Sequence, residues 1–290
     1  MLVKQLSPAW KNALKHLYIN PLEACNLNCK ICYTKKTKAV LSNEEISNFI
    51  ARYQTSQKLE SVTFCGGEVF LLRDFPTLVN QLTAQNLLVQ IISNGTLDRL
   101  TEIAQPNLVN LIISLDGLEA YHDQNRGPGN FAKSIDFLKK ALALGFHIEV
   151  FSIVTRENLA AIPEFEQVLS KTLGKKIDIT YHPRKPLAYL QNHPVSNVLG
   201  QINNFNFLSR AELKTLFKSK ITFPPRNLGC YQISLMSNKK VYACCEGIRP
   251  LGDLKTPIPI LIANLQKRIC HGCSEADFIC GFQDIFSKIE

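Results

Sequence analysis

Long apolar runs are missing from this sequence. None approaches the roughly 18 residues that a membrane-spanning helix needs. The opening "MLVKQLSPAWKNALKH" has neither the apolar core nor the small-residue cleavage site of a secretory signal. Repeats of fixed period and low-complexity tracts are missing too. Gly and Pro, at 14 each in 290 residues, are ordinary, which excludes a collagen-like or disordered chain. The net charge is +9, yet the only dense basic run is "KKTK" at 35–38, and no basic stretch is interleaved with aromatics. Nucleic-acid binding is therefore not expected, while acidic peptides remain compatible partners. A membrane partner is not expected either.

Cysteine is what the chain has in quantity, with ten residues. Nothing marks it as secreted, and it is long for a scaffold held by disulfides. We expect a reducing cytoplasmic setting, in which clustered cysteines serve as metal ligands or redox groups. The stretch "CNLNCKICY" packs Cys25, Cys29 and Cys32 into eight positions with no fourth cysteine beside them. Structural zinc wants four ligands. An iron–sulfur cluster with one iron left open wants three.

At 46% hydrophobic, the composition is that of a globular protein of one large domain with a small addition. Six β-rich runs recur, at 16–23, 61–65, 87–93, 108–116, 147–154 and 176–182, each followed by a helical pattern. Most are continuous Val, Ile and Leu runs, as in strands buried on both faces of a parallel sheet. In "LSNEEISNFIARY", Ser42 and Glu45 form a capping box and Leu41 with Ile46 a hydrophobic staple. In "NFAKSIDFLKKALALGF", Gly145 is the expected stop. The fold class is α/β: a partial (β/α)6 TIM-like barrel with a small cysteine-rich C-terminal α+β extension. The expected divisions are an N-terminal extension over 1–15, the barrel over 16–185, a connecting segment over 186–225 and the extension over 226–290.

The first strand runs into the three cysteines, where the loops of a parallel barrel carry chemistry. C-x3-C-x2-C in that place resembles the cluster loop of the radical S-adenosylmethionine (SAM) enzymes. The resemblance implies that Cys25, Cys29 and Cys32 hold a [4Fe–4S] cluster, with SAM on the fourth iron. Ile31 would then lie near the adenine. "FCGGEVF" ends the second strand, and Gly66, Gly67 and Glu68 match the family's GGE motif. Two glycines permit close backbone approach to a ligand, and the carboxylate would meet the SAM ammonium. Val69 stands where the family commonly has Pro. Ser93, Asn94 and Gly95 resemble the turn near the SAM ribose. "SLDGLEAYHDQNRGPGNF" matches the pattern of family members that modify peptides and proteins, which places Ser114 and Arg126 against the ribose or carboxylate. His122 and Asp123 are expected to hold that loop together. Cys65, directly before Gly66, is either a small buried hydrophobe or a thiol able to donate a hydrogen atom. The resemblance covers roughly residues 17–182.

The tail carries Cys230, Cys244, Cys245, Cys270, Cys273 and Cys280. "VYACC", then "LGDL", then C-x2-C-x6-C resembles the SPASM or shorter Twitch extension, which binds auxiliary clusters. Six cysteines cannot supply two clusters with four thiolates each. One auxiliary [4Fe–4S] cluster is expected on Cys230, Cys244, Cys270 and Cys273, with Cys280 able to replace one and Cys245 spare. Lys239 stands where that family usually has Gly. Zinc is the alternative occupant, since C-x2-C pairs suit it as well.

The resemblance implies reductive cleavage of SAM to a 5′-deoxyadenosyl radical, which abstracts a hydrogen atom from a substrate. A peptide or protein is the favoured substrate, and a small metabolite or cofactor precursor is the alternative. From another class, a non-catalytic cysteine–zinc binding module stays open. The expected partners are an electron donor such as flavodoxin or ferredoxin and, because only about 15 residues precede the first strand, a separate leader-peptide-binding partner.

Overall fold

The computed structural model describes residues 13–185, 204–220, 232–245, 247 and 249–270, with side chains to residue 267. Six parallel strands lie in the order β6-β5-β4-β3-β2-β1. They are β1 (His16–Asn20), β2 (Ser61–Phe64), β3 (Leu88–Ser93), β4 (Val109–Ser114), β5 (His147–Val154) and β6 (Asp178–Pro183). The crossovers carry α1 (Asn43–Gln54), α2 (Phe75–Thr83), α3 (Glu119–Arg126), α4 (Asn130–Ala143), α5 (Arg156–Leu159) and α6 (Ile162–Leu173). The alternation lapses once. Between β3 and β4 stand only two 3-10 turns, Leu100–Glu102 and Pro106–Leu108. The link is short, and Pro106 removes a backbone donor, so no α-helix develops there.

Local signals explain the helix ends. The Ser42 hydroxyl accepts from Glu45 N at 3.1 Å, and the Glu45 carboxylate accepts from Ser42 N at 3.0 Å. Leu41 and Ile46 are both buried beside this box. Ile46, Phe49, Ile50 and Tyr53 then form the buried stripe of α1. Gly145 takes φ +86° just after α4, a conformation that costs a side-chain-bearing residue.

The core lies between sheet and helices. Leu17, Ile19, Val62, Phe64, Ile91 and Leu111 alternate along their strands toward the helix layer and are fully buried there. On the other face, Tyr18 and Asn20 of β1, Phe151 and Ile153 of β5 and His182 of β6 line a cavity.

The cysteine-rich end does not stand apart from this sheet. After α7 (Arg210–Ser219) come β7 (Ile233–Met236), β8 (Lys240–Tyr242), β9 (Gly252–Asp253) and α8 (Ile258–Cys270). β7 pairs in parallel with the outer side of β1, Leu17 opposite Ile233 and Asn20 opposite Met236. β8 and β9 follow in antiparallel pairs. Among the described residues nine strands form one open sheet with β1 inside it. At the β7–β8 turn Lys239 takes φ +63°. This is the position where Gly is usual in the extension that the tail resembles, and the reason is visible: the turn needs a left-handed residue.

Candidate active site

A cavity of about 360 Å³ opens at the C-terminal ends of the strands. Cys25, Cys29 and Cys32 all line it, together with Ile31, Cys65, Gly66, Gly67, Ser93, Asn94, Ser114 and Arg126. Residues predicted from four separate loops thus meet at one place.

The cysteine loop is tied down from two sides. Lys30 N and Ile31 N donate to the backbone and side-chain oxygens of Asn125, at 2.9 and 3.1 Å. On the other side, Asn94 Nδ2 donates to Asn26 Oδ1 at 2.9 Å, and Asn26 Nδ2 donates to Thr96 Oγ1 at 2.8 Å. Ile31 is buried with Tyr121 and Phe205, and Ile153 packs against them. This gives the cavity an apolar wall.

The two glycines of GGE line the cavity and also let the β2 turn approach the chain's own backbone. Gly67 N donates to Leu22 O and Glu68 N to Ala24 O, both at 2.9 Å. A Cβ at Gly67 would stand 2.0 Å from Ala24 O, and one at Gly66 2.5 Å from Leu22 O. The close approach is to the chain's own cysteine loop, which the β2 turn zips against.

Glu68 is also placed differently from its predicted position against a cofactor ammonium. Its carboxylate is fully buried behind the cavity wall. There it accepts from Asn94 N at 2.8 Å, from the Ser93 hydroxyl at 2.9 and 3.1 Å, and from Phe70 N at 3.2 Å. Burial pushes its pKa up, against the pull of these donors. Glu68 therefore fixes the Ser93–Asn94 turn, and that turn holds the cysteine loop.

Arg126 lines the cavity but spends its fork on a residue that motif reading passed over. Nε and Nη2 donate to the two carboxylate oxygens of Asp116 at 2.6 and 3.0 Å. Asp116 is fully buried and also accepts from Asn125 Nδ2 at 2.8 Å and Ile153 N at 3.1 Å. Burial opposes its ionisation, yet Arg126 and these donors hold its pKa below the usual range. One carboxylate thus joins β4, α3 and β5 beneath the cysteine loop. The signal lay in the D of "SLDG". Nothing in the sequence marked Asn125 or the cavity-lining Tyr18, Asn20, Phe151 and His182.

His122 and Asp123 hold the loop as predicted. Asp123 accepts from Gly129 N at 2.6 Å and Phe131 N at 2.7 Å at the start of α4. His122 Nδ1 accepts from Asp116 N at 3.3 Å, and burial lowers its pKa to about 4. Burial raises the Cys25 thiol pKa, and that of Cys29 to about 11, with Arg126 working in the opposite sense on Cys29. Deprotonation of such thiols needs a strong cationic partner, which bound iron supplies.

Among the described residues no three His, Cys, Asp or Glu side chains converge tightly enough to share one metal ion, as a single zinc requires. Cys25, Cys29 and Cys32 line one cavity, and three thiolates are what a cluster takes when each binds its own iron and one iron stays open. The donor set therefore fits a [4Fe–4S] cluster.

The family model of the radical SAM superfamily matches residues 19–169. The chain belongs to the radical SAM superfamily. Mycofactocin maturase MftC of Mycobacterium tuberculosis is 32% identical over 165 residues, 54% of this chain and 42% of that protein. The matched stretch thus spans less than half of that relative. The structure of native anSMEcpe with bound AdoMet aligns with TM-score 0.68 at 18% identity, covering 91% of this chain and 87% of that one. Streptococcus suis SuiB bound to its precursor peptide SuiA aligns with TM-score 0.65 at 16% identity, covering 93% and 70%. These two share the fold of this radical SAM chain.

In the tail, Cys244 is buried and Cys245 lines the cavity. Cys230, Cys273 and Cys280 lie outside the described residues, as does the side chain of Cys270 at the end of α8. Among the described residues no helix is long and apolar enough to cross a membrane.

Proposed function

We propose that this radical SAM chain modifies a peptide or protein. The observation that carries the reading is the convergence of Cys25, Cys29 and Cys32 with the turns of the second, third and fourth strands on one cavity. The "SLDG…HD..RG" loop and the likeness to a mycofactocin maturase support a peptide substrate. A [4Fe–4S] cluster held by Cys25, Cys29 and Cys32 would supply the single electron for reductive SAM cleavage and hydrogen-atom abstraction from the substrate.

The chain's own residues do the placing. Ile31 and Ile153 offer apolar surface to the adenine, and Ser114, Ser93 and Asn94 border the ribose side. Asn125 and Asn94 keep the cysteine loop from drifting, so that the reacting carbon stays in register with its substrate. Asp116 holds Arg126 at the cavity edge as a fixed cation for a carboxylate. The apolar wall excludes water from a radical that would otherwise attack stray donors. We further propose one auxiliary cluster in the tail with Cys244 among its ligands, and a ferredoxin- or flavodoxin-type donor.

The test is anaerobic. The chain is reconstituted with iron and sulfide, then given a strong reductant and SAM, and 5′-deoxyadenosine is sought by mass spectrometry. Formation by wild type but not by a triple Cys25→Ala, Cys29→Ala, Cys32→Ala variant is expected. Zinc without iron in the anaerobically handled protein would overturn the assignment.

A further inference from the structure

One wall of the cavity is left unused by the roles assigned so far. Tyr18, Asn20, Cys65, Met236 and Tyr242 form it, from β1, the end of β2 and the β7–β8 hairpin. Two observations give this wall a chemistry.

The first is a thiol–phenol pair. Tyr18 and Cys65 are hydrogen-bonded, and Cys245 lies near the same hydroxyl. Enclosure, the neighbouring Cys65 and Cys245 sulfurs and the bond to Cys65 all raise the Tyr18 pKa, so the phenol keeps its proton. Cys65 lines the cavity and, as a thiol, brings an S–H hydrogen to it. The second is an unsatisfied acceptor. Asn20 is buried, and its Oδ1 has no hydrogen-bond partner. Its Nδ2 is turned to Glu23 at 3.4 Å. The oxygen is left beside Gly66, 3.0 Å from where a Cβ there would stand. A buried amide oxygen without a donor is costly and marks where a bound molecule brings an N–H.

We propose that Cys65 returns a hydrogen atom to the substrate carbon, while Asn20 Oδ1 holds the amide N–H next to that carbon. The substrate class is then a peptide backbone, and the net reaction is inversion of a Cα stereocentre. This rests on the radical SAM reading given above. The Cα–H bond breaks, and its hydrogen leaves in 5′-deoxyadenosine. The Cα radical takes a hydrogen atom from the Cys65 S–H on the opposite face, so a new C–H bond forms and a thiyl radical remains on Cys65. A low-potential one-electron donor reduces the thiyl, and a proton delivered through the Tyr18 hydroxyl restores the thiol. One electron splits SAM and one resets Cys65, so the peptide is neither oxidised nor reduced. Cys65 is the catalytic residue here, and Tyr18 is a positioning residue.

The first test needs no peptide. The reconstituted chain is given SAM and reductant in D2O, and deuterium in the 5′-deoxyadenosine is read by mass spectrometry. With no substrate present, the Cys65 S–D is the expected donor. Label is expected in the wild-type product and in Cys245→Ser, and its loss in Cys65→Ala. Wild-type product without deuterium, or equal label in Cys65→Ala, overturns the inference. No 5′-deoxyadenosine at all from iron-loaded wild type overturns the radical SAM reading itself.

The second test is independent of turnover. The iron-loaded chain is alkylated with iodoacetamide and the modified cysteines are mapped. SAM is expected to slow alkylation of Cys65. Tyr18→Phe is expected to slow it without SAM, because the thiolate loses a donor. Cys65 alkylation indifferent to SAM overturns the placement. For Asn20, calorimetry on Asn20→Leu is expected to show unchanged SAM affinity. A weakened affinity would give that oxygen to the SAM ammonium and overturn the amide assignment.

Discussion

Replacing Gly67 by Ala adds a single carbon, and the structure says where it goes. The new Cβ would stand 2.0 Å from Ala24 O and 2.4 Å from Ala24 C. Both are backbone atoms, so no side chain can swing aside. The β2 turn or the cysteine loop must move, and the Gly67 N to Leu22 O and Glu68 N to Ala24 O bonds are pulled out of line. Overpacking of a tight contact costs about 2 kcal/mol. Two weakened backbone hydrogen bonds cost about 1 kcal/mol each, so about 4 kcal/mol in total is expected. Gly145→Ala is the control. Its φ of +86° penalises a Cβ by about 1 kcal/mol, but nothing lies within 4 Å of the added atom. Urea unfolding of both variants reads the difference, and iron retained after reconstitution is expected to fall only in Gly67→Ala. A Gly67→Ala protein as stable as Gly145→Ala would refute the claim that the two loops are zipped.

Arg126→Met leaves the buried Asp116 carboxylate without its cation and is expected to cost about 3–5 kcal/mol in urea unfolding. Arg126→Lys should recover only part, since an ammonium cannot reproduce the two-oxygen contact. His122 should make the fold acid-sensitive. Its pKa is lowered from 6.5 to about 4, so the unfolded chain binds the proton first, and stability falls as pH drops from 6.5 toward 4. The loss amounts to about 3 kcal/mol at most, and His122→Gln should flatten the profile. Lys239→Gly should stabilise by about 1 kcal/mol or less, as relief of the left-handed strain exceeds a half-exposed ion pair with Glu45 worth a few tenths. Lys239→Val should destabilise, measured in the same urea series.

All six barrel strands were legible because their apolar runs and turn residues agree at the local level, as at Ser42, Glu45 and Gly145. The three cysteines were legible because thiols at that spacing have few uses. Partners chosen across the fold were not. The phase of GGE says that glycine is needed, but only the packing against Ala24 says why. Glu68 reads as a ligand-facing carboxylate until its donors, Ser93 and Asn94, are seen on the neighbouring turn. Arg126 and Asp116 are ten positions apart with nothing to mark them as a pair. Asn20 differs from any buried strand asparagine only in the geometry around its oxygen. The pairing of β7 with β1 was the least legible, because a short apolar run in a cysteine-rich tail carries no address.

That pairing has a consequence for how the chain is made. The strand that delivers the cysteine loop gains its second neighbour only when residues 233–236 have been synthesised and have folded back. Until then one flank of β1 is a bare row of backbone donors and acceptors, which invites other strands. Closing so long a loop is slow compared with forming the local βα crossovers. The cysteine loop is therefore accessible to iron before the β7–β8 hairpin covers its side of the cavity. A chain truncated after residue 185 would stay in that state and is expected to associate through β1.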